Sequence, residues 1–379
     1  MAILVLNCGS SSIKYTLYDW ADGHVLNHGN SDRVTDYDES LEAIFSDLET
    51  RLQGGLSSIR AVGHRVVHGG RSFLKPHIID PDVLEVIRTY SNLAPLHNPP
   101  NIAGIEFATR RLPSASQVAV FDTSFHSSIP PEAHHYAIPA AIAKKYRISR
   151  YGFHGTSHKY VHDRAALLCG FGDDPTGLSI ITCHLGNGCS VSAVRDGKCL
   201  DTSMGFTPLE GLVMGSRTGD MDPAIVLFLM GPFGGSFSFE QVNQILNWES
   251  GLKGLSELSS DVRDLLEARS RGHEGAALAL SVFAYRLKKY ICAYHGILSG
   301  ADALVFTAGI GENSPEVRSE ALTGLEPIGI ALDEEKNASV RGAEAEITGR
   351  RSRTRIFVIP TDEDLMIYRE TLKILENNQ

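Results

Sequence analysis

Residues 3–14 read ILVLNCGSSSIK, and the rest of the chain is organised around this stretch. An apolar run is broken by small residues and then resumes, which is typical of two strands joined by a tight loop. Gly9 and the serines after it give a loop with little side-chain bulk, exposed backbone N–H groups and hydroxyls that suit phosphate oxygens. Lys14 adds a positive charge. These residues alone leave two interpretations open, a plain hairpin turn and a phosphate-binding loop.

A second stretch of the same design lies about half a chain away. Residues 178–185 form an apolar run, Gly186-Asn187-Gly188 a small loop, residues 190–194 a second run, and Asp196-Gly197 a hairpin turn. The order matches that of residues 3–23. A repeat at this separation predicts two related domains that face each other, the alternative being coincidence between two hairpins.

The chain length and composition indicate a globular protein of two domains. There are 379 residues, of which 42% are hydrophobic and 21% charged. The formal net charge of −10 argues against a generic nucleic-acid binder. The most apolar long segment, residues 276–298, is interrupted by Arg286, Lys288 and Lys289, so it is not expected to span a membrane.

The cysteines and the N-terminus predict a cytoplasmic location. The six cysteines show no CxxC spacing and several lie in apolar runs, which favours buried, reduced thiols over disulfides. The N-terminus has no basic region followed by a long apolar core, so no signal peptide is expected. A reducing compartment follows from both observations.

Apolar runs alternate with helical patterns along the chain, which predicts an α/β architecture. Helices are expected over residues 41–51 with Ser40 as cap, over 81–93, 237–246, 276–298 and 365–375. A third Gly-rich loop, residues 309–315, follows the short apolar run 304–306. Residues 202–223 are rich in Gly and apolar residues but show neither period, which favours a functional loop.

Three strand-ending Gly loops in this order resemble the phosphate-1, phosphate-2 and adenosine motifs of the sugar kinase, chaperone ATPase and actin superfamily. Within it the chain is similar, nearly end to end, to the acetate kinase family. The motifs that carry this resemblance are LNCGSSSIK, GHRVVHGG, LAPLHNPPN, FDTSFH, YGFHGTSH, HLGNGCS, TSMGFTPLEGLVMGSRTGD and AGIGENS. The chain is somewhat shorter than expected for the family, mainly between residues 18 and 62 and at the C-terminus.

The resemblance implies a fold and a domain division. The fold is α/β, with two duplicated ribonuclease H-like (actin-like ATPase) domains and a nucleotide cleft between them. The expected N-terminal domain is 1–126 plus the helix 365–379, and the nucleotide-binding domain is 127–364. The implied reaction is reversible, magnesium-dependent phosphoryl transfer from ATP to acetate, giving acetyl phosphate and ADP.

Catalytic roles follow from the resemblance together with residue chemistry. Phosphoryl transfer to a carboxylate brings several anionic oxygens together, so the protein mainly positions them and neutralises charge. Arg65 and Arg217 stand beside Gly-rich turns and suit multi-donor recognition of such oxygens, although a lone arginine is usually a solvated surface residue. The family match makes Asp122 and His154 catalytic as well. Their ordinary alternatives are a loop-capping aspartate and a structural histidine.

The resemblance also assigns the substrate, nucleotide and metal sites. The apolar pocket for the substrate methyl would be formed by Val67, Leu96, Phe153 and Pro208, with Arg65 holding the carboxylate. Nucleotide contacts would come from Lys14, Ser12, His184, Asn187, Gly188, Asp261, Arg263, Gly309, Gly311, Glu312 and Asn313, with Ser10 as a further support. Asn7 and Glu363 would hold Mg²⁺, with Mn²⁺ as a possible substitute.

One motif differs from the family pattern, and alternatives to the expected function remain open. The family's Pro-Thr-Asn-Glu-Glu appears here as Pro360–Asp364 with Asp362 and Asp364, which leaves the metal ligands open. Acetate is the expected acceptor, and a propionate or short-chain acyl kinase is the alternative, since one methylene is worth only ~1–3 kcal/mol in such a pocket. A non-catalytic nucleotide switch of the same superfamily is a further alternative. The expected partners are acetate, ATP and a second copy of the chain, with no nucleic acid or membrane.

Overall fold

The computed structural model describes residues 1–9, 11–94 and 97–377. The chain divides into two compact units, each built on one six-stranded sheet. Unit 1 comprises Met1–Ser127, Phe153–Tyr160 and Asp362–Gln379, and unit 2 comprises Ser128–Gly152 and Val161–Thr361. Compared with the division expected from the sequence, the main difference is that Phe153–Tyr160 packs with unit 1.

The strands and helices within the described ranges alternate along much of the chain. The strands are β1 Ala2–Cys8, β2 Ser12–Asp19, β3 Val25–Asp32, β4 Ile59–Val66, β5 His77–Ile78, β6 Ser116–Phe121, β7 Ser179–Leu185, β8 Cys189–Arg195, β9 Lys198–Thr202, β10 Ala303–Thr307, β11 Ala345–Glu346 and β12 Arg355–Val358. The α-helices are α1 Tyr37–Arg51, α2 Pro81–Thr89, α3 Asn98–Arg111, α4 Pro131–His134, α5 Ala140–Tyr146, α6 Gly155–Leu168, α7 Ala224–Met230, α8 Phe239–Gln244, α9 Gly251–Ser256, α10 Val262–Ser270, α11 Glu274–Ile297, α12 Ala308–Asn313, α13 Pro315–Leu322, α14 Glu334–Ser339 and α15 Glu363–Glu376.

The sheet of unit 1 has the order β3-β2-β1-β4-β6-β5. β1 pairs antiparallel with β2 and parallel with β4, and β4 pairs parallel with β6. Because side chains alternate along a strand, β1 serves two cores. Leu4 and Leu6 pack in the core that contains α1 and α3, whereas Ile3 and Val5 pack in the core that contains α15.

The sheet of unit 2 repeats this topology strand for strand. Its order is β9-β8-β7-β10-β12-β11, with β7 antiparallel to β8 and parallel to β10, and β10 parallel to β12. β7 and β10 are buried along their whole length, and the long helix α11 packs against β7 and β8. The repeat predicted from the two Gly-loop hairpins is therefore confirmed.

Several local predictions need correction. Helix α1 begins at Tyr37 and not at Leu41, because its cap is Asp36 and not Ser40: the Asp36 side chain accepts the Glu39 N–H at 3.0 Å. The predicted helix 237–246 is only six residues long as α8 and continues as a π-helical turn, Ile245–Glu249. Residues 309–313, expected in a loop, lie in helix α12. Residues 203–223 are irregular, as predicted.

Two further findings concern the cysteines and the helices. Each of the six cysteines is a thiol outside any disulfide, and four of them are buried. Burial raises the pKa of the Cys8 thiol to about 12, so this thiol stays protonated. Across the described ranges, every helix falls short of the length or apolarity needed to cross a bilayer.

Candidate active site

The carboxyl ends of β1, β4 and β6 form one edge of the sheet in unit 1. The strands run parallel and adjacent in the order β1-β4-β6, so their C-terminal residues meet at this edge. Asn7 lies near the end of β1, Arg65 near the end of β4, and Asp122 directly after β6. Lys14 pairs with Asn7 across the β1–β2 ladder and is exposed.

Arg65 and Asp122 form a bidentate ion pair. Arg65 Nη2 donates to Asp122 Oδ2 at 2.7 Å, and Arg65 Nε donates to Oδ1 at 3.0 Å. The Asp122 side chain is 1% exposed and that of Arg65 is 21% exposed. Burial lowers the pKa of Arg65, but the charges of Asp122 and Glu363 outweigh it and the net shift is upward. The guanidinium is therefore permanently charged and held in a fixed plane.

The first residue of α6, Gly155, lies close to the backbone of Asp122. The Gly155 N–H donates to the Asp122 carbonyl at 3.0 Å, and a Cβ on Gly155 would lie 2.1 Å from that oxygen. The next residue, Thr156, donates its hydroxyl to Glu363 Oε2 at 3.1 Å. The YGFHGTSH motif therefore brings the Glu363 carboxylate of α15 into the group formed by Arg65 and Asp122.

Two of the residues predicted to line the acyl pocket lie directly after β4 and shortly before α6. Val67 and Phe153 are both buried in unit 1. Phe153 packs edge-on against His68 at 5.7 Å between ring centroids, and its carbonyl is bonded to His126 Nε2 at 2.9 Å. Burial lowers the pKa of His126 to about 4, so this histidine is neutral and holds the backbone of Phe153.

The other predicted residues of this region are distributed differently. Pro208 belongs to unit 2. Leu96 and Ser10 lie outside the described residues. His154 precedes helix α6 with a φ of 59°, a left-handed conformation that is uncommon for a residue other than glycine and that recurs at functional sites.

The oxygen donors at this edge suit a hard divalent cation. Glu363 offers a carboxylate and Asn7 an amide oxygen, which are the ligand types that Mg²⁺ takes together with water and phosphate. Both oxygens of Asp122 already accept hydrogen bonds from Arg65. Asp362 caps α15 through the Leu365 N–H, and Asp364 accepts the Thr16 hydroxyl at 2.8 Å, so both replaced acids of the PTDED segment have structural partners.

Unit 2 carries a cavity of about 840 Å³ beside its own Gly loops. Five predicted nucleotide residues line it: Asn187, Asp261, Arg263, Gly309 and Asn313. Its wall also includes residues that sequence reasoning did not assign: Ser260, Val262, Leu266, Ile310, Ser314, Glu316 and Arg341. Apolar side chains beside polar ones and close backbone suit a purine nucleoside.

Six predicted nucleotide residues do not line this cavity: Ser12 and Lys14 of unit 1, and His184, Gly188, Gly311 and Glu312 of unit 2. Glu312 Oε1 instead accepts the Ala308 N–H at 2.7 Å and the Thr361 N–H at 3.1 Å. It thereby caps the helix to which it belongs and ties that helix to the segment that leads to α15. Its carboxylate has a structural use that the motif did not reveal.

Arg217 lies in the irregular segment 203–223 and differs from Arg65 in its surroundings. Its Nη1 donates to the Pro208 carbonyl at 3.1 Å. Across the described ranges, no carboxylate lies within ion-pair distance of its guanidinium. Burial lowers the pKa of Arg217. A half-buried cation that lacks a protein anion is well suited to bind an anionic ligand.

The repeated six-stranded sheets define the actin-like ATPase fold, here with basic and acidic groups at the strand ends. The crystal structure of Porphyromonas gingivalis acetate kinase matches with a TM-score of 0.93 and 39% identity over 99% of both chains. That of a propionate kinase from Francisella tularensis matches with a TM-score of 0.91 and 39% identity over 98% of this chain and 99% of that one.

The sequence comparisons identify the family. Residues 27–369 match the Acetokinase family. Acetate kinase of Dictyoglomus thermophilum is 48% identical over 401 residues, covering 99% of both proteins, and that of Thermotoga maritima is 48% identical over 403 residues with the same coverage. The chain belongs to the acetokinase family. It is a phosphotransferase with a carboxyl group as acceptor, of a family that uses ATP or ADP and a divalent metal, and not a non-catalytic switch.

Proposed function

We propose that this protein transfers the terminal phosphoryl group of ATP directly and reversibly to acetate, giving acetyl phosphate and ADP. The observation that carries the proposal is the Arg65–Asp122 pair beside Glu363, in a chain similar over its full length to acetate kinases. The pair supplies a fixed, charged guanidinium, and Glu363 supplies an acid for a metal–nucleotide complex. Together they suit transfer between two anions.

Each site residue has a role in this proposal. Arg65 binds the acceptor carboxylate through N–H groups, with Asp122 holding its plane. Arg217 neutralises charge on the transferred phosphoryl group, and His154 donates a hydrogen bond to the oxygens of that group.

The nucleotide contacts come from both units. Ser12 and Lys14 of β2 support the phosphates. In unit 2, the Gly186–Gly188 loop with His184 contacts the phosphates, whereas the cavity lined by Asp261, Arg263, Gly309 and Asn313 takes the adenosine, with Gly311 and Glu312 shaping α12.

We propose that the divalent metal is Mg²⁺, for which Mn²⁺ can substitute, and that Glu363 and Asn7 would hold it. The bound cation would neutralise phosphate charge and orient the phosphate chain. Thr156 fixes the Glu363 carboxylate by its hydrogen bond at 3.1 Å.

Acetate is the proposed acceptor, and propionate is the second candidate because a propionate kinase shares the fold at 39% identity. The buried Val67 and Phe153 limit the space for the acyl group, with Leu96 and Pro208 as further proposed wall residues. A valine at position 67 favours the smaller acid. Because one methylene is worth only ~1–3 kcal/mol, weak turnover of propionate is expected.

The experiment is a hydroxamate-trapping assay with ATP, Mg²⁺ and either acid. We expect acetyl hydroxamate with acetate and a kcat/KM for acetate above that for propionate. A higher kcat/KM for propionate would replace acetate by propionate. No acyl hydroxamate from either acid across a range of pH would overturn the proposed reaction.

We further propose that the protein is a homodimer through unit 2. Residues 224–239 carry no charged side chain, although the chain as a whole has a net charge of −10. Helix α7 has no buried residue, and Leu227 and Phe233 are 73% and 93% exposed. An uncharged apolar patch of this kind is typical of a surface that a second copy covers.

Sedimentation velocity tests this assembly. Leu227→Glu is expected to give monomers, whereas Leu74→Glu, at an exposed leucine of unit 1, should leave a dimer. A monomeric parent protein would refute the dimer. We place the protein in the cytoplasm because none of the six cysteines, all of which are described, forms a disulfide.

A further inference from the structure

Helix α3 carries a buried asparagine that joins two loops of unit 1. Asn101 is 3% exposed. Its Nδ2 donates to the Cys8 carbonyl at 2.7 Å, and its Oδ1 accepts the Val67 N–H at 3.0 Å. Cys8 ends β1 beside the proposed phosphate and metal loop, and Val67 lies in the proposed acyl pocket. One side-chain amide therefore spans the two places where the reacting groups would be held.

The approach of α3 to β1 is close and leaves little freedom. Gly104 lies one turn after Asn101 on the same face of the helix. A Cβ at Gly104 would lie 2.5 Å from Cys8 Sγ and 3.5 Å from Leu6 Cδ2. Further along, Phe107 and Ala108 pack in the core that contains Leu6 and Cys8. Helix α3 is thus seated directly on the end of β1.

The loop after β1 has a second anchor. The Tyr37 hydroxyl donates to the Gly9 carbonyl, and the Gly9 N–H donates to the Ser12 carbonyl at 2.7 Å. Tyr37 holds the loop to α1. The parallel ladder between β1 and β4 ends at the pair Leu6 and His64, and beyond it Asn101 joins the loop to the β4 side. The two carbonyls of Cys8 and Gly9 are therefore both fixed by side chains from outside the loop.

We infer that Asn101 is a positioning residue for phosphoryl transfer, because it sets the distance between the loop after β1 and the acyl pocket at Val67. The inference rests on the proposed function, which places the phosphates at the first loop and the acyl group at the second. The rate of transfer depends on the separation of the reacting groups, and a displacement of about 1 Å can cost on the order of 10²-fold.

Asn98 on the same helix provides a matched control. It is 0% exposed, and its Oδ1 accepts the His68 N–H at 3.1 Å while its Nδ2 donates to the His68 carbonyl at 3.1 Å. A further, longer bond reaches the Ile87 carbonyl at 3.4 Å. Among the described residues, Asn98 therefore bonds to the β4 side and to α2, and makes no hydrogen bond to the loop after β1.

The experiment compares Asn101→Ser with Asn98→Ser in the full chain. A serine at 101 is too short to bridge both loops, so we expect kcat to fall about 10- to 100-fold and KM for acetate to rise. Asn98→Ser should raise KM for acetate while kcat stays within about threefold of the parent protein. Thermal unfolding of both variants measures the loss of stability, which should be similar because both lose buried hydrogen bonds.

A second variant separates the two bonds of Asn101. In Asn101→Asp, one carboxylate oxygen can still accept the Val67 N–H, but an ionised carboxylate cannot donate to the Cys8 carbonyl. We expect kcat to fall as in Asn101→Ser while KM for acetate stays near the parent value.

The outcomes are distinct. If the parent protein forms no acyl phosphate, the proposed function fails and the inference fails with it. If the parent protein is active and the Asn101 variants match Asn98→Ser in kcat, the inference alone is overturned. A fall in kcat confined to the folded Asn101 variants, with circular dichroism unchanged, supports it.

Discussion

Units 1 and 2 share one sheet topology, but the two arginines that we assign to the active site have different surroundings in them. In unit 1, Arg65 is paired bidentately with the buried Asp122. In unit 2, Arg217 donates to a carbonyl and has no carboxylate at ion-pair distance across the described ranges. In the function that we propose, Arg65 is therefore oriented by a carboxylate before an anion binds, whereas the charge of Arg217 is neutralised by the ligand itself.

The Gly-loop hairpins of the two units differ in a related way. The loop after β1 in unit 1 is fastened to α3 and α1 through carbonyl groups. The loop after β7 in unit 2 opens on the 840 Å³ cavity that we assign to adenosine. The two copies of the sheet therefore have equivalent strand ends, and the helices around each end determine which contacts the loop there makes.

The largest expected effect is the acid sensitivity of unit 1. Burial lowers the pKa of His64, His68 and His126 to about 4 each. In the unfolded chain the pKa of a histidine is about 6.5. Below that pH the unfolded chain takes up protons that the three histidines do not take up in the folded protein, so the free energy of unfolding falls as the pH drops from about 7 towards 4. Each histidine contributes up to about 1.4 kcal/mol per pH unit in that window.

The two tryptophans allow each unit to be followed separately. Trp20 belongs to unit 1 and Trp248 to unit 2. In acid titrations monitored by fluorescence, the Trp248→Phe variant, which reports Trp20, should show its transition at higher pH than the Trp20→Phe variant. The opposite order would contradict the assignment of acid sensitivity to unit 1.

Removal of Arg217 tests the unpaired arginine. Arg217→Ala is expected to lower kcat by on the order of 10²–10³-fold, as for other groups that stabilise transition-state charge. Stability should be unchanged or slightly raised, because a half-buried cation that lacks a protein counter-ion is lost. Steady-state kinetics and urea unfolding measure the two quantities. Near-normal turnover of the folded variant would show that the assigned role is wrong.

Asp122→Asn tests the paired arginine and should behave differently. It leaves the Arg65 charge without its partner, so the free energy of unfolding should fall by about 2–3 kcal/mol, reduced from the fully buried case because Arg65 is 21% exposed. Activity should fall as well. Equal free energies of unfolding for Asp122→Asn and Arg217→Ala would show that pairing with a carboxylate does not distinguish the two arginines energetically.

The smallest effect concerns the proposed acyl pocket at Val67. Val67→Ala removes buried apolar volume and should shift kcat/KM towards propionate by about tenfold, that is, ~1–2 kcal/mol. Leu56→Ala, a buried residue in the core with β1 and α1, is a control that should lower stability without changing the acid preference. An unchanged preference in Val67→Ala would place the acyl group elsewhere.

Much of the fold was predictable because its signals are local in sequence. The apolar runs and Gly loops of residues 3–23 and 178–197 predicted the repeated hairpins, and apolar spacing predicted α11. The cap of α1 was misplaced because Ser40 and Asp36 are equally good cap residues by type. The contact of Tyr37 with the Gly9 carbonyl fits the earlier start. Helix α12 looked like a loop because its Gly-rich sequence does not reveal that Glu312 caps it.

The sequence by itself determined the duplicated α/β fold, the family and the placing of Arg65, Asp122 and Arg217 beside strand ends and Gly-rich turns. Only the tertiary structure decided which arginine is paired. Arg65 and Asp122 are 57 positions apart and meet because β4 and β6 are parallel neighbours, a register that no local pattern encodes. The same holds for Asn101, whose two bonds reach residues 93 and 34 positions away. Side-chain types determine which interactions are possible, but the distances that select among them arise from strand order and helix packing.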